Sequence, residues 1–506
     1  MVCPAGTIGT GSLTLLGSAD LFTSQDSIIA ESFGSNGSLN IGGTGTHWLG
    51  SEKLTVGKAG TATVNIVSGG ILQSGNPIFG TGAEVAMEST SSVDINVTGL
   101  FSRWDIRGGI NLGVEGTAEM TIANGAQVIV TERASSTSKK FGSNAQITVD
   151  GDGSLWQLGF VRLGEGGSTH LDIVNGGTVE GFQALMGYEA TGRGQAQVAG
   201  EGSKWLVKDL SVGVFGQGQL DIIDGGSVGI LGETVISIAP LLGSLGSVRV
   251  SGKDSVLTGR SVSVGFDGSA FLQVESGALV AVTDGSSRIG PRSGASVVGE
   301  GSRWTATGER FVEGDLAVTD GGFVSNRRAF VRNSRGETAS VSVVGEGSLW
   351  NSSDVVEIGT EAIGRVAVLD RGRVITGGTV LGGTATQIAS MLINDSVWTT
   401  GALSVQGKGQ LGLSVVNGGR LTATGFMGVD PDTLGQANVS IVGEESKVFV
   451  SSDLMIGGNG LTVFNVLDQA KVEATDVYLG DEGFTLINVN GAGSDLRARD
   501  RLEING

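Results

Sequence analysis

Hydrophobic and polar residues alternate in short runs along the whole chain, and the runs end at glycine-rich corners. In LSVGVFGQGQLDIIDGGSV (210–228), a period of two places Leu220 and Ile222 on one side and the polar residues between them on the other. The corner VNGG at 174–177 places Asn and Gly where the backbone must adopt positive φ. The pattern therefore predicts short strands joined by tight turns.

A nine-residue phrase marks an internal repeat, which appears as SVVGEGSRW at 296–304 and as SVVGEGSLW at 342–350. All seven tryptophans of the protein occupy the last position of this phrase, and aliphatic residues replace tryptophan in three further copies. A shift of 24 residues aligns GQAQVAGEGS (194–203) with GQLDIIDGGS (218–227), so a repeat of about 50 residues contains two related units of about 25. The ten repeat positions are Trp48, Trp104, Trp156, Trp205, Leu257, Trp304, Trp350, Trp398, Val448 and Leu496.

A unit of about 25 residues is too short to enclose a core alone, because each of its strands has only a few inward residues. If each unit forms one coil, its strands pair in parallel with those of the next coil, and equivalent side chains stack. The sequence therefore predicts an all-β, right-handed parallel β-helix solenoid of about 20 coils, built from ten repeats of about 50 residues. We expect one continuous domain over 1–506 with partial coils at both ends. A propeller is disfavoured, because ten copies exceed the usual 4 to 8 blades.

The composition narrows the classes of function. A net charge of -19 argues against nucleic acid and anionic membrane surfaces as partners, since both are bound through basic faces. The single cysteine excludes a disulfide between two cysteines of this chain, and two histidines offer little for a metal or cofactor site. His47 and His170 occupy variable positions of the repeat, so we expect them on the surface, with no catalytic, cofactor or metal residues.

Two repeated motifs together resemble a known family. L-x-[VI]-G-x-x-G-x-G-x-L-x-[IV]-x-x-G-G-x-V followed by V-x-G-x-G-S-x-W is similar to the type V secretion and PEP-CTERM-associated repeat of autotransporter passenger domains. The resemblance covers about residues 9–506. It implies export through the outer membrane of a Gram-negative bacterium, a place on the cell surface, and a C-terminal β-barrel translocator, which we expect to be missing from this sequence. Because MVCPAGTIGTGS has no signal-peptide pattern, we expect a passenger fragment or a truncated reading frame.

The tryptophan row has two interpretations, a buried ladder inside the coils or an exposed platform that stacks on sugar rings. Replacement by Leu257, Val448 and Leu496 favours the buried ladder, because aliphatic residues do not form a stacking platform. A glutamate also recurs in the G-E-G-S phrase. Its spacing of two coils, roughly 10 Å, predicts a solubilising surface stripe and not a catalytic pair of carboxylates. These glutamates are Glu201, Glu300, Glu346 and Glu444.

Two segments break the repeat. TERASSTSKK at 131–140 replaces a strand pattern with polar residues and predicts a projecting loop. SNRRAFVRNSRG at 325–336 carries four arginines on an otherwise acidic chain and predicts either an anion-binding face, for acidic glycans or lipopolysaccharide, or an ordinary solvated surface. The candidate ligand contacts are Arg327, Arg328, Arg332, Arg335, Lys139 and Lys140.

The sequence favours a non-enzymatic extracellular scaffold that acts in adhesion, autoaggregation or biofilm contact. Its expected partners are glycans or proteins on host or neighbouring cells, or further copies of itself, each bound weakly at many coils. We expect the isolated chain to be a monomer without a cofactor. Two alternatives stay open: a polysaccharide-degrading β-helix enzyme, lyase or hydrolase, and a passive stalk or matrix element.

Overall fold

A computed structural model describes residues 9–76, 80–131, 134–333, 335–382, 388–480 and 483–505. The chain divides into two compact units. Unit 1 is Met1–Arg260 with Gly265–Phe271, and unit 2 is Ser261–Val264 with Leu272–Gly506. Each is a parallel β-solenoid, with about 19 turns in all, so the predicted fold class is confirmed. No helix among the described residues is long and apolar enough to cross a membrane. The right-handed sense of the coil and the single continuous domain stay predictions.

A full turn of unit 1 contains a long strand, a second strand that carries the repeated tryptophan position, and a third strand. The long strands are Thr10–Leu16, Asn36–Gly42, Thr61–Val67, Ser92–Thr98, Thr117–Ala123, Asn144–Asp150, Ser168–Val174, Arg193–Ala199, Gln217–Ile223 and Leu245–Ser251. The second strands are Asp20–Thr23, His47–Gly50, Ile71–Ser74, Arg103–Ile106, Gln127–Val130, Leu155–Gln157, Thr178–Glu180, Lys204–Val207, Ser227–Ile230 and Val256–Gly259. The third strands are Ser27–Ile29, Leu54–Val56, Thr81–Val85, Gly109–Leu112, Ala134–Thr137, Phe160–Leu163, Gln183–Met186, Asp209–Val212 and Val235–Ile238.

Unit 2 has the same three kinds of strand, and in five places the second and third strands merge. Its long strands are Gly294–Val298, Asp315–Thr319, Ala339–Val344, Gly364–Leu369, Ile388–Asn394, Gln410–Val416, Gln436–Val442, Leu461–Leu467 and Phe484–Asn490, and Ser269–Glu275 lies at the unit boundary. Its second strands are Leu279–Val282, Arg303–Ala306, Phe323–Asn326, Arg420–Ala423 and Lys447–Val450. Its third strands are Ser261–Val264, Ser287–Ile289, Glu309–Val312, Arg328–Val331, Met427–Pro431 and Asp453–Ile456. The merged strands are Leu349–Ile358, Arg373–Leu381, Val397–Gly407, Lys471–Leu479 and Asp495–Ile504.

Within each unit, a strand pairs in parallel with its counterpart one coil later. Asn144–Asp150 and Ser168–Val174 align over seven residues, with Ile147 beside Leu171. Both side chains are buried, and the residues between the inward positions point outward. Stacking therefore builds the continuous aliphatic columns that a single coil cannot form.

The tryptophans lie inside the coils, each 6 % exposed or less, so the favoured interpretation as a buried ladder is confirmed and the exposed sugar platform is excluded. Every tryptophan, in a second strand or a merged strand, neighbours aliphatic residues on the adjacent coils, because a bulky indole packs best between smaller side chains. Trp156, for example, lies in register between Val128 and Val179. This alternation explains why the sequence repeats at about 50 residues although the coil repeats at about 25.

The serine of the G-x-G-S phrase ties successive corners together. Ser203 Oγ donates a hydrogen bond to the Ala199 carbonyl at 2.7 Å and accepts one from the Gly176 amide, one coil earlier, at 3.0 Å. The hydroxyl thereby satisfies two backbone groups at a buried corner, where unpaired groups are costly. The same pair of bonds recurs at Ser102, Ser154, Ser255, Ser302, Ser348 and Ser446.

The predicted turn chemistry is also confirmed. Asn175 and Asp224 adopt φ of 52° and 53°, and the glycines that follow them have φ near 90°. Asparagine, aspartate and glycine tolerate this left-handed region better than other residues, so the Asn-Gly-Gly and Asp-Gly-Gly corners follow from the backbone path.

The predicted loop at 131–140 was wrong in its central part. Ala134–Thr137 is a third strand, and Ser135 and Thr137 are buried in it. Polar side chains are tolerated inside because they are paired: Ser135 Oγ accepts from the Ile110 amide at 3.2 Å, and Thr137 Oγ1 donates to the Arg162 carbonyl at 3.1 Å. Residues 132 and 133 lie outside the described residues.

Candidate functional site

Three of the arginines that we predict as ligand contacts, Arg327, Arg328 and Arg332, lie together on the outward side of the third strands of unit 2. Arg328 begins the strand Arg328–Val331, and Arg327 and Arg332 flank it. The guanidinium carbons of Arg328 and Arg332 lie 4.8 Å and 4.9 Å from the ring centroid of Phe330. Phe330 in turn stacks on Phe311 of the preceding coil, with centroids 5.0 Å apart and an interplanar angle of 6°. We call this surface the arginine face; its members are Arg288, Phe311, Arg327, Arg328, Phe330 and Arg332.

Carboxylates on neighbouring coils neutralise the arginine face. The ion pairs are Arg288 with Glu313 at 2.7 Å, Arg327 with Glu309 and Asp354 at 3.4 Å each, Arg332 with Glu361 at 2.6 Å, and Arg328 with Glu357. The hydrogen bond to Glu357 is the largest cause that raises the pKa of Arg328. Four arginines thus face five carboxylates, a formal charge of -1, so these ion pairs leave the surface without an excess of positive charge.

The other three predicted contacts lie elsewhere. Arg335 lies two residues after Asn333, whose side-chain oxygen accepts a hydrogen bond from the Arg335 amide at 2.9 Å. Lys139 and Lys140 belong to unit 1, at the turn after Ala134–Thr137, where their amides donate to carbonyls of the preceding coil. Lys140 is exposed and Lys139 is half-buried. The structure therefore groups only Arg327, Arg328 and Arg332.

Unit 1 carries a surface that the sequence analysis missed. Phe160 and Phe182 contact each other, with ring centroids 5.1 Å apart, and Lys208 Nζ lies 4.7 Å from the centroid of Phe182. Phe182 and Lys208 immediately precede the third strands Gln183–Met186 and Asp209–Val212. Tyr188 and Phe215 follow the same two strands, and their rings meet edge to face with centroids 6.2 Å apart. We call this surface the aromatic face; its members are Phe160, Arg162, Phe182, Tyr188, Lys208 and Phe215.

The rings of the aromatic face remain open to solvent: Phe160 is 39 %, Phe182 46 % and Phe215 50 % exposed. Polar groups lie between the two ring pairs, where Gln183 Nε2 donates to Asp209 Oδ2 at 2.8 Å. The surface thus combines exposed ring faces with hydrogen-bonding groups, the combination found at many recognition sites.

A signal for the aromatic face was present in the sequence. In the strand FVRL, Val161 and Leu163 are the inward residues, so the alternation places Phe160 and Arg162 outside. The Arg162 guanidinium carbon lies 4.2 Å from the ring centroid of Tyr188, and Arg162 Nη1 pairs with Glu165 at 3.1 Å. An outward phenylalanine on the otherwise polar side of the repeat is thus the sequence feature that indicates the aromatic face.

The remaining sequence candidates behave as surface residues. His47 Nδ1 lies 2.8 Å from Asp20 Oδ1, and His170 Nε2 lies 2.9 Å from Asp172 Oδ1, both on outward positions. The four repeated glutamates of the G-E-G-S phrase are exposed. Within the described ranges, no group of three or more His, Cys, Asp or Glu side chains could hold a metal ion.

A comparison with known proteins finds similarity among solved structures only. No family model matches the sequence, and no curated protein matches it. Among solved structures, the chain is similar to the TibC-catalyzed hyper-glycosylated TibA55-350 fragment, with 13 % identity, 95 % of this chain and 100 % of that chain covered, and a TM-score of 0.30. A likeness at this level carries no argument about function, and the resemblance to the type V secretion repeat stays a prediction.

Proposed function

We propose that this protein is a non-enzymatic surface scaffold that acts in adhesion, autoaggregation or biofilm contact, as an autotransporter-type passenger on a Gram-negative cell. Its inward residues serve the stacking of coils, and the surfaces that break the repeat lie on the outward sides of the third strands. A scaffold of this kind binds through many weak contacts and not through one cleft.

The aromatic face is the observation that carries the proposal. Its three partly exposed phenylalanines leave apolar area in water, and covering that area is worth about 25 cal/mol per Å². The apolar side of a sugar ring is a suitable cover, because Gln183 and Asp209 can bind its hydroxyl groups nearby. We therefore propose glycans of a host or neighbouring cell as the partner of the aromatic face.

The arginine face has a secondary role in this proposal. Arg327, Arg328 and Arg332 are 52 %, 38 % and 25 % exposed at their side chains, and each guanidinium has five N–H donors. An acidic glycan must compete with the resident carboxylates, so we expect weak and salt-sensitive binding there. The other candidates, Arg335, Lys139 and Lys140, remain proposed contacts of the same kind.

The test displays the full chain on the surface of a non-adherent bacterium and measures clumping and attachment to glycan-coated and matrix-coated surfaces. We expect contact-dependent clumping or attachment that falls about tenfold in the double variant Phe160→Ala with Phe182→Ala. Phe141→Ala is the matched control, because Phe141 is 84 % exposed in the same unit and lies outside the aromatic face.

Two results would contradict the proposal. Cells that display the wild-type chain at normal levels and neither clump nor attach on any surface would remove the adhesive role and favour a passive stalk. Release of new sugar ends from uronate or O-antigen polymers by the purified chain would instead favour the polysaccharide-degrading enzyme.

A further inference from the structure

The interior of unit 2 contains a charged side chain that the repeat does not predict. The strand Glu309–Val312 alternates so that Arg310 and Val312 point inward while Glu309 and Phe311 point outward. Arg310 is 0 % exposed. The corresponding inward residue of the third strand Asp453–Ile456 is the aliphatic Leu454.

Small neighbours make room for this arginine. In register with Arg310 lie Ser287 on the preceding coil and Ala329 on the following one, both fully buried. The guanidinium carbon of Arg310 lies 4.0 Å from the ring centroid of Trp304, so the guanidinium group lies over the indole. The packing of the coil therefore accommodates the side chain within the core.

The charge of Arg310 is only partly compensated. Nη2 donates to the Ser325 carbonyl at 3.3 Å, while Nε and Nη1 have no hydrogen-bond partner. Among the described residues, no carboxylate forms an ion pair with Arg310, in contrast to its neighbours on the arginine face. Burial lowers the pKa of Arg310 to about 9, which still leaves the group protonated at neutral pH. A buried, unpaired charge is costly unless something compensates it.

Two neighbours of Arg310 also carry buried polar atoms without a partner: Ser287 Oγ, and Trp304 Nε1, which is unpaired as it is in Trp156, Trp205 and Trp398. Guanidinium and indole N–H groups only donate hydrogen bonds, and a serine hydroxyl can donate as well. A water molecule would bring two further protons that need acceptors and would leave the positive charge uncompensated. A negatively charged acceptor can accept hydrogen bonds from these donors and also compensates the positive charge of Arg310.

We propose that the interior of unit 2 binds a small monovalent inorganic anion of the halide class, chloride, at the Arg310 guanidinium beside Ser287 and Trp304. Complete burial favours a monatomic ion over sulfate or a carboxylate ligand. The anion replaces, for this one inward arginine, the carboxylates that pair with the outward arginines of the same unit.

The test measures thermal unfolding and amide hydrogen exchange of the full chain while chloride replaces gluconate at constant ionic strength. We expect chloride to slow exchange in Glu309–Val312 and to raise Tm saturably by about 1 to 3 °C. Arg310→Met should remove both effects. Arg327→Met, which deletes an exposed and ion-paired arginine of the same unit, should retain them.

Bromide provides a second measurement that does not depend on the folding of Arg310→Met. Wild-type crystals soaked in bromide should give an anomalous peak within hydrogen-bond distance of Arg310 Nε or Nη1. The proposal is overturned if chloride has no effect on the wild-type chain, if the effect persists in Arg310→Met, or if no bromide peak lies at Arg310.

Discussion

The aromatic face of unit 1 and the arginine face of unit 2 are built on the same positions of the fold, yet they present different chemistry. Both use outward residues of third strands and the corners beside them, and both contain a pair of contacting phenylalanines. In unit 1 the rings of Phe160 and Phe182 remain 39 % and 46 % exposed. In unit 2 Phe311 and Phe330 are half-buried, because arginine side chains lie over Phe330.

The difference arises from the carboxylates of the following coil. Glu357 and Glu361 hold Arg328 and Arg332 in place over the ring of Phe330. Lys208, beside Phe182, forms no ion pair with any carboxylate among the described residues. Glu357 and Glu361 each lie 29 residues after the arginine with which they pair. One or two acidic residues on the following coil thus decide whether a ring pair is available to a partner. Contact surfaces in this fold are therefore determined by residues on pairs of adjacent coils.

The largest expected effect comes from deleting each ring pair in turn. Phe160→Ala with Phe182→Ala should lower attachment about tenfold with Tm nearly unchanged, because these rings are exposed. Phe311→Ala with Phe330→Ala should change attachment less than about twofold but lower stability by about 1 to 3 kcal/mol, because half-buried stacked rings are lost. Attachment and denaturant unfolding, measured on both variants, separate the two roles. Equal losses of attachment would refute the distinction.

The second effect tests whether the paired carboxylates prevent the arginine face from binding anionic ligands. Glu357→Gln with Glu361→Gln should free Arg328 and Arg332, and we expect binding to immobilised heparin to rise about three- to tenfold at low salt and to decline steeply with added salt. Removal of the Glu357 hydrogen bond should also bring the raised pKa of Arg328 toward its ordinary value. Glu346→Gln, which removes an exposed carboxylate paired with Arg371, is the control. Unchanged heparin binding would show that the arginines are not available even when unpaired.

The third effect contrasts the paired outward arginines with Arg310. Its pKa is lowered to about 9 by burial, so between pH 9 and the ordinary arginine value the unfolded chain binds this proton more tightly than the folded chain. The cost of burying the charge is therefore present in full below pH 9, and stability contributed by this group rises as pH increases through that window. Chloride binds the protonated group, so the chloride-dependent rise in Tm should decline above about pH 9. A chloride effect that stays constant from pH 7 to 10.5 would contradict this assignment.

The smallest effect concerns Lys208. The ammonium group of Lys208 lies 4.7 Å from the ring centroid of Phe182, and we expect the rings to contribute most of the binding to the partner. Lys208→Gln should therefore reduce attachment less than about threefold. The salt dependence of attachment should be almost the same as in the wild-type chain. A larger and salt-dependent loss would indicate that the aromatic face binds an acidic partner.

Much of the fold could be predicted, because each coil repeats the same local rules. Period-two alternation assigned the inward residues, the Asn-Gly-Gly and Asp-Gly-Gly corners assigned the turns, and replacement by aliphatics assigned Trp156 and its equivalents to the core. The strand at 134–137 was missed because serine and threonine at inward positions do not match the aliphatic pattern of the other strands. Their hydroxyl groups are satisfied by the backbone of adjacent coils, which a local pattern does not reveal.

The candidate site was less predictable, because its contacts join residues one coil apart. Arg327, Arg328 and Arg332 are conspicuous in the sequence, but the carboxylates that neutralise them lie on other coils. Coil lengths vary, so a fixed offset does not identify these partners. Arg310 was predictable in direction, since alternation in the strand Glu309–Val312 points it inward, but its lack of an ionic partner required the structure.

The most direct test of the proposed function is binding of the purified full chain to an immobilised glycan panel, with the wild-type chain, Phe182→Ala and Phe141→Ala compared at equal concentration. We expect that at least one glycan captures the wild-type chain and Phe141→Ala equally, and that Phe182→Ala binds about tenfold more weakly. Equal binding of all three proteins, or no capture by any glycan of the panel, would contradict a role for the aromatic face in glycan recognition.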